Sequence, residues 1–73
     1  MKTIRRVACH EIASTEENLS MKLAVIEIQS GEVTRCYPLK GELPFTEWMP
    51  GQIVLRRDDE GILRAYYNNV IIN

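Results

Sequence analysis

The chain has little of the side-chain chemistry that many functions require. Its 73 residues include one histidine, His10, and two cysteines, Cys9 and Cys36. Two cysteines allow at most one bridge, too few for a disulfide scaffold. They lack the Cys-x-x-Cys spacing of a structural zinc site. Large side chains are also scarce: one Trp, one Phe and three Tyr. Neither sign of charge prevails, with nine Lys and Arg against ten Asp and Glu. A general nucleic-acid or membrane-surface binder would usually be basic, so both partner classes are disfavoured. No apolar run approaches the length of a membrane span. Met1-Lys-Thr-Ile-Arg-Arg6 carries the charge of a secretory leader, but Cys9-His10-Glu11 interrupts any apolar stretch behind it. The expectation is a soluble, cytoplasmic protein with reduced cysteines.

The length sets a single domain, residues 1–73. A chain this short buries only about 60–65% of its unfolded surface, so its core is small. Self-association often compensates in such proteins.

What is present is a set of β-type runs separated by glycine. Leu23-Ala-Val-Ile-Glu-Ile28, Val33-Thr-Arg-Cys-Tyr37, Ile53-Val-Leu-Arg-Arg57 and Ile62-Leu-Arg-Ala-Tyr-Tyr67 are rich in β-branched and aromatic residues, and Gly31, Gly51 and Gly61 lie between them. The pattern predicts an all-β fold: a small antiparallel meander of five to six strands forming an open barrel or sandwich. Strands are expected over 2–13, 21–28, 33–39, 52–57 and near the 62–67 run, with a short one over 70–72. The 21–28 strand carries apolar residues on both faces and is expected in the middle of the sheet. Pro38 should mark a strand end or an edge. Pro44 suits the first position of a helical turn, so residues 45–49 are expected to form a single 3₁₀ or α turn.

One register can be argued. Asp58-Asp-Glu-Gly61 fits a type I turn with Gly61 as the left-handed bulge residue. Asp58 then pairs with Ile62, Leu55 with Ala65 and Ile53 with Tyr67. This collects Ile53, Leu55, Leu63, Ala65 and Tyr67 on one face. A slip of one residue would move a strand's side chains to the opposite side.

No catalytic or metal-binding residue emerges, and no cofactor is implied. Cys9 and His10 are neighbours on a strand and face opposite ways, so they make neither a chelate nor a nucleophile pair without a bulge. Asp58-Asp59-Glu60 has too few well-spaced oxygens for calcium, and Asp58 suits capping its own turn. Arg56 and Arg64 should face each other across the hairpin, with Arg35 on the same sheet. Like charges directly opposite repel, so Glu27, Glu47 or an external anion should offset them. These three arginines are the candidate anion-binding residues. Phe45, Trp48 and Met49, in a proline-bounded segment, are the candidate partner-binding residues, since interfaces favour Trp, Phe and Met. The same three residues could instead plug one end of a small barrel.

Val25-Ile-Glu-Ile-Gln-Ser-Gly-Glu-Val33 and Met49-Pro-Gly-Gln-Ile-Val54 resemble a hairpin and a Pro-Gly step in the small N-terminal β module of amidohydrolase-type metal-dependent hydrolases. The resemblance spans residues 3–54. In that family the Pro-Gly step leads to metal-binding histidines and a barrel; here Leu55-Arg-Arg57 follows instead. The resemblance therefore implies a β-rich stand-alone accessory module and transfers no metal or catalytic residue. The function expected is a non-enzymatic protein-interaction or assembly module, binding an unknown protein or a second copy. The alternative is a small barrel that takes an anionic ligand or nucleic acid on Arg35, Arg56 and Arg64.

Overall fold

Branched and aromatic side chains pack well on a pleated surface and lose rotamer freedom in a helix. The computed structural model describes residues 3–73, and every regular element among them is a strand. Met1 and Lys2, where the opening strand was expected to start, lie outside the described residues. The strands are β1 (Ile4–Ser14), β2 (Leu19–Gln29), β3 (Glu32–Pro38), β4 (Thr46–Arg57), β5 (Leu63–Tyr67) and β6 (Val70–Ile72). They form one sheet in the order β3-β2-β1-β4-β5-β6. The fold is all-β.

The local hairpins follow turn chemistry. Ser30 and Gly31 turn β2 into β3 with φ of 53° and 78°, the left-handed pair that a two-residue hairpin turn demands. Asn68 and Asn69 do the same between β5 and β6, at 52° and 65°. Between β4 and β5 the bulged register holds: Ile53 pairs with Tyr67 and Leu55 with Ala65, and the Asp58 amide donates to Ile62 O at 2.9 Å. β3 ends at Pro38, which has no amide hydrogen to extend the ladder.

Two features depart from the expectation. First, the β1–β4 junction is parallel while the other four are antiparallel. The chain therefore crosses from the β3 edge past β2 and β1 through the 39–45 connection. Second, residues 46–49 are not a helical turn. They are the start of β4, aligned with Arg6, Val7, Ala8 and Cys9 of β1. An isolated turn would leave most of its amides without a partner, whereas a strand beside β1 gives them a ladder. Here the ladder outweighs the local preference of Pro44.

β3 and β5 touch although three strands lie between them in the sheet, so the sheet curls into a half-barrel. Its concave face is the core: Val7, Cys9 and Ile12 of β1, Ala24, Ile26 and Ile28 of β2, and Val33, Ile53, Leu55, Ala65 and Ile72 from the other strands. On β1 the inward residues step from 9 to 12, and on β2 from 24 to 21. A regular strand would step by two. Both irregular steps fall between the Cys9–Ala24 and Glu11–Lys22 pairs, where Leu23 is left-handed at φ 49°. Ala8 and Val25 pair on the opposite face and are buried too, outside the main core cluster. Their burial explains why β2 reads as apolar on both faces.

Candidate interaction site

The site grows out of a break in β4. Pro50 has no amide hydrogen to give, and Gly51 sits at φ 108°. Cys9 pairs with Met49 and Glu11 with Gln52, so β4 inserts Pro50 and Gly51 opposite the lone His10. Such a bulge would leave backbone groups without partners. Two side chains supply them. His10 Nδ1 accepts the Gly51 N–H at 2.9 Å, and the Tyr67 hydroxyl donates to Pro50 O. The imidazole thus serves this amide as an acceptor through Nδ1. His10 in turn meets Trp48 edge-on, with ring centroids 4.9 Å apart at 86°.

The three candidate partner-binding residues separate by burial. Met49 packs against the core. Trp48 pairs with Ala8 on the other face and is 49% exposed. Phe45 is 94% exposed and left-handed at φ 56°. A bulky residue in that region is a conformational outlier, and no described residue covers its ring. A 510 Å³ open cavity runs between the crossing connection, at Leu39, Leu43 and Pro44, and the Ala8–Trp48 pair.

The arginines do not form one cluster. Arg35 stands on β3 opposite Glu27, with β2 and β1 between it and β4. Its guanidinium lies 3.8 Å from Glu27 and 5.0 Å from the Tyr37 ring centre. Arg56 and Arg64 do face each other, but different groups relieve the repulsion. Arg64 Nε donates to Asp58 at 3.0 Å. Arg56 lies 4.2 Å over the Tyr66 ring and has no ion pair among the described residues. Glu47 is held by Arg5, through two bonds of 2.6 and 2.8 Å, which keep its carboxyl below the usual range.

Asp58 caps its own turn. Its Oδ1 accepts from the Glu60 and Ile62 amides, each at 2.9 Å. These bonds, the Ile62 one foremost, together with Arg64, depress its carboxyl. Burial pushes both the Cys9 and the Cys36 thiols up, the reverse of what a nucleophilic thiolate needs. No group of three metal-binding side chains gathers among the described residues.

Two arrangements were missed in the sequence. One is the bulge clasp of His10, Gly51 and Tyr67; a Pro-Gly step inside a strand is the signal that an acceptor must come from elsewhere. The other surrounds Glu27, whose side chain is 5% exposed. It accepts from Tyr37 Oη at 2.6 Å and Arg6 Nε at 3.1 Å. A lone carboxylate inside the most apolar run was its signal. No protein-family model, curated protein or solved structure matches the chain.

Proposed function

We propose that this chain is a non-enzymatic, cytoplasmic protein-interaction module whose contact surface is the Phe45–Trp48 end of β4. The observation that carries the reading is Phe45, an almost fully exposed aromatic in a left-handed conformation. Left-handed backbone costs a non-glycine residue about 1–2 kcal/mol, and no packing among the described residues offsets it. Strain of that kind collects at functional positions. Trp48 is held by His10 on the outer face of β4 and Met49 anchors the strand in the core, so one exposed ring stands on a rigid strand and the other, Phe45, in the turn that leads into it. Rigid, partly exposed aromatics are the usual anchors of protein interfaces. The two free thiols fit a reducing compartment. The resemblance to a stand-alone β module points to the same accessory role.

The test is capture from cell lysate with wild type and with a Phe45→Ala/Trp48→Ala variant shown to be folded by circular dichroism. The expected result is a partner held by wild type and lost by the variant. Light scattering on the purified chain identifies the case in which the partner is a second copy. A partner retained in full by the variant would overturn the assignment of the surface.

A second reading rests on Arg56, the one candidate anion-binding arginine without a carboxylate partner among the described residues. It takes an anionic ligand or nucleic acid on the Arg56–Tyr66 stack. Loss of oligonucleotide or phosphate binding in Arg56→Gln would support it.

A further inference from the structure

One end of the half-barrel holds an open cavity of 630 Å³. Arg5, Arg6, Arg64 and Glu47 line it together with Ile4 and Phe45. Arg5 and Arg64 thus bring two guanidiniums to a cavity with one lining carboxylate side chain. Glu47 is saturated by Arg5, whose Nη1 also donates to Asn73 O at 2.9 Å. Arg6 is held by Glu27, which does not line the cavity.

Arg64 differs from both. Its side chain is 21% exposed. Only Nε is engaged, by Asp58; its terminal nitrogens have no acceptor among the described residues. Nη1 lies over the β2–β3 turn, 2.7 Å from where a Cβ on Gly31 would stand. A Cβ at position 31 would push the guanidinium aside, so Gly31 lets it lie over the turn. A guanidinium carries five N–H donors in a fixed fork, and a carboxylate, like a phosphate, matches that fork with two parallel bonds. The rim beside it is apolar and uncovered, with Ile4 47% and Phe45 94% exposed.

We propose that this cavity receives a carboxylate side chain from an extended segment of the partner protein, with a neighbouring apolar side chain laid over Phe45 and Ile4. The assignment rests on the interaction-module reading and names the chemistry of the partner. Charge complementarity selects the acidic group. The openness of the cavity and the exposed ring of Phe45 on its rim select a protein segment over a free small anion, because a small anion at Arg64 would leave the phenyl ring in water.

The probes are acetyl-Leu-Glu-Leu-Glu-Leu-amide and the same peptide with Gln for Glu, titrated into the full chain while the arginine Nε–H and backbone amide signals are followed by NMR. The acidic peptide should shift Arg64, Ser30, Gly31 and Phe45, and the Gln peptide should bind about tenfold more weakly or worse, the size expected for hydrogen bonds to a charged group. Arg64→Gln should weaken the acidic peptide to the level of the Gln peptide, and Lys22→Gln, at an exposed position away from the cavity, should leave it unchanged. Equal binding of the two peptides to wild type would overturn the proposal without reliance on any variant. So would a response to hexanoate or inorganic phosphate as strong as that to the acidic peptide. A captured partner lost by Phe45→Ala/Trp48→Ala but held fully by Arg64→Gln would sink this inference and leave the module reading standing. A partner held by both variants would sink both.

Discussion

Phe45 and Glu27 are opposite cases at the scale of single residues. Phe45 is outside everything and conformationally strained; Glu27 is inside and fully bonded. A core Phe truncation costs about 3–5 kcal/mol. Phe45→Gly should instead leave stability within about 1 kcal/mol of wild type, because glycine removes the left-handed strain while adding unfolded-state entropy. Urea denaturation measures this, and the same variant should lose the partner. Glu27 is held below the ordinary carboxylate range, chiefly by the Tyr37 hydroxyl and then by Arg6 and Arg35. Its folded value is depressed, so its contribution is present above the unfolded value and lost as pH falls through the folded one. Glu27→Gln should therefore cost about 2 kcal/mol at neutral pH and flatten the acid limb of the stability curve. A variant whose acid limb matches wild type would contradict this. Neither residue's setting was fully legible beforehand. Phe45 stood out because aromatics are few, but the choice between patch and plug depends on what packs against it. Glu27 was expected to offset the arginines, and Arg35 does lie beside it, but its closer partners, Arg6 and Tyr37, lie on two other strands and were not foreseen.

At the scale of elements, turns were legible and long-range pairings were not. The Asp58–Gly61 register could be worked out because the turn residues and the alternation beside them lie within about ten positions of one another. The parallel alignment of β4 with β1 joins segments about forty residues apart, and no short pattern announces it. Pro44 misled for the same reason: its helix-starting geometry is a local fact, and the ladder that overrode it is not. The bulge at Pro50 and Gly51 shows how such a join is held. His10→Ala removes the acceptor of the Gly51 amide and the edge contact with Trp48. It should cost about 1 kcal/mol, seen as a lower urea midpoint, and the Gly51 amide should become the fastest-exchanging proton of β4. Unchanged exchange there would mean that the bond contributes nothing.

For the whole molecule, the sheet order places β1 at the centre, between β2 and β4. Folding must bring β4 back across β2 and β1, so the contacts that close the core are non-local. Domains of this kind fold in milliseconds to seconds, against microseconds for small helical bundles. Stopped-flow refolding followed by Trp48 should fall in the slower range. Trp48 sits on the parallel join and so reports that step.

The central place of β1 has a consequence for the chain while it is being made. β1 leaves the ribosome well before β4. The β1–β2–β3 unit can pair by hairpins as soon as residue 38 emerges, while the other edge of β1, bearing Val7, Cys9 and Ile12, still lacks its neighbour. An open edge with an apolar face recruits strands from other chains. The interval between the emergence of β3 and the emergence of β4 is thus the one in which the nascent sheet is open to misassembly on a crowded polysome.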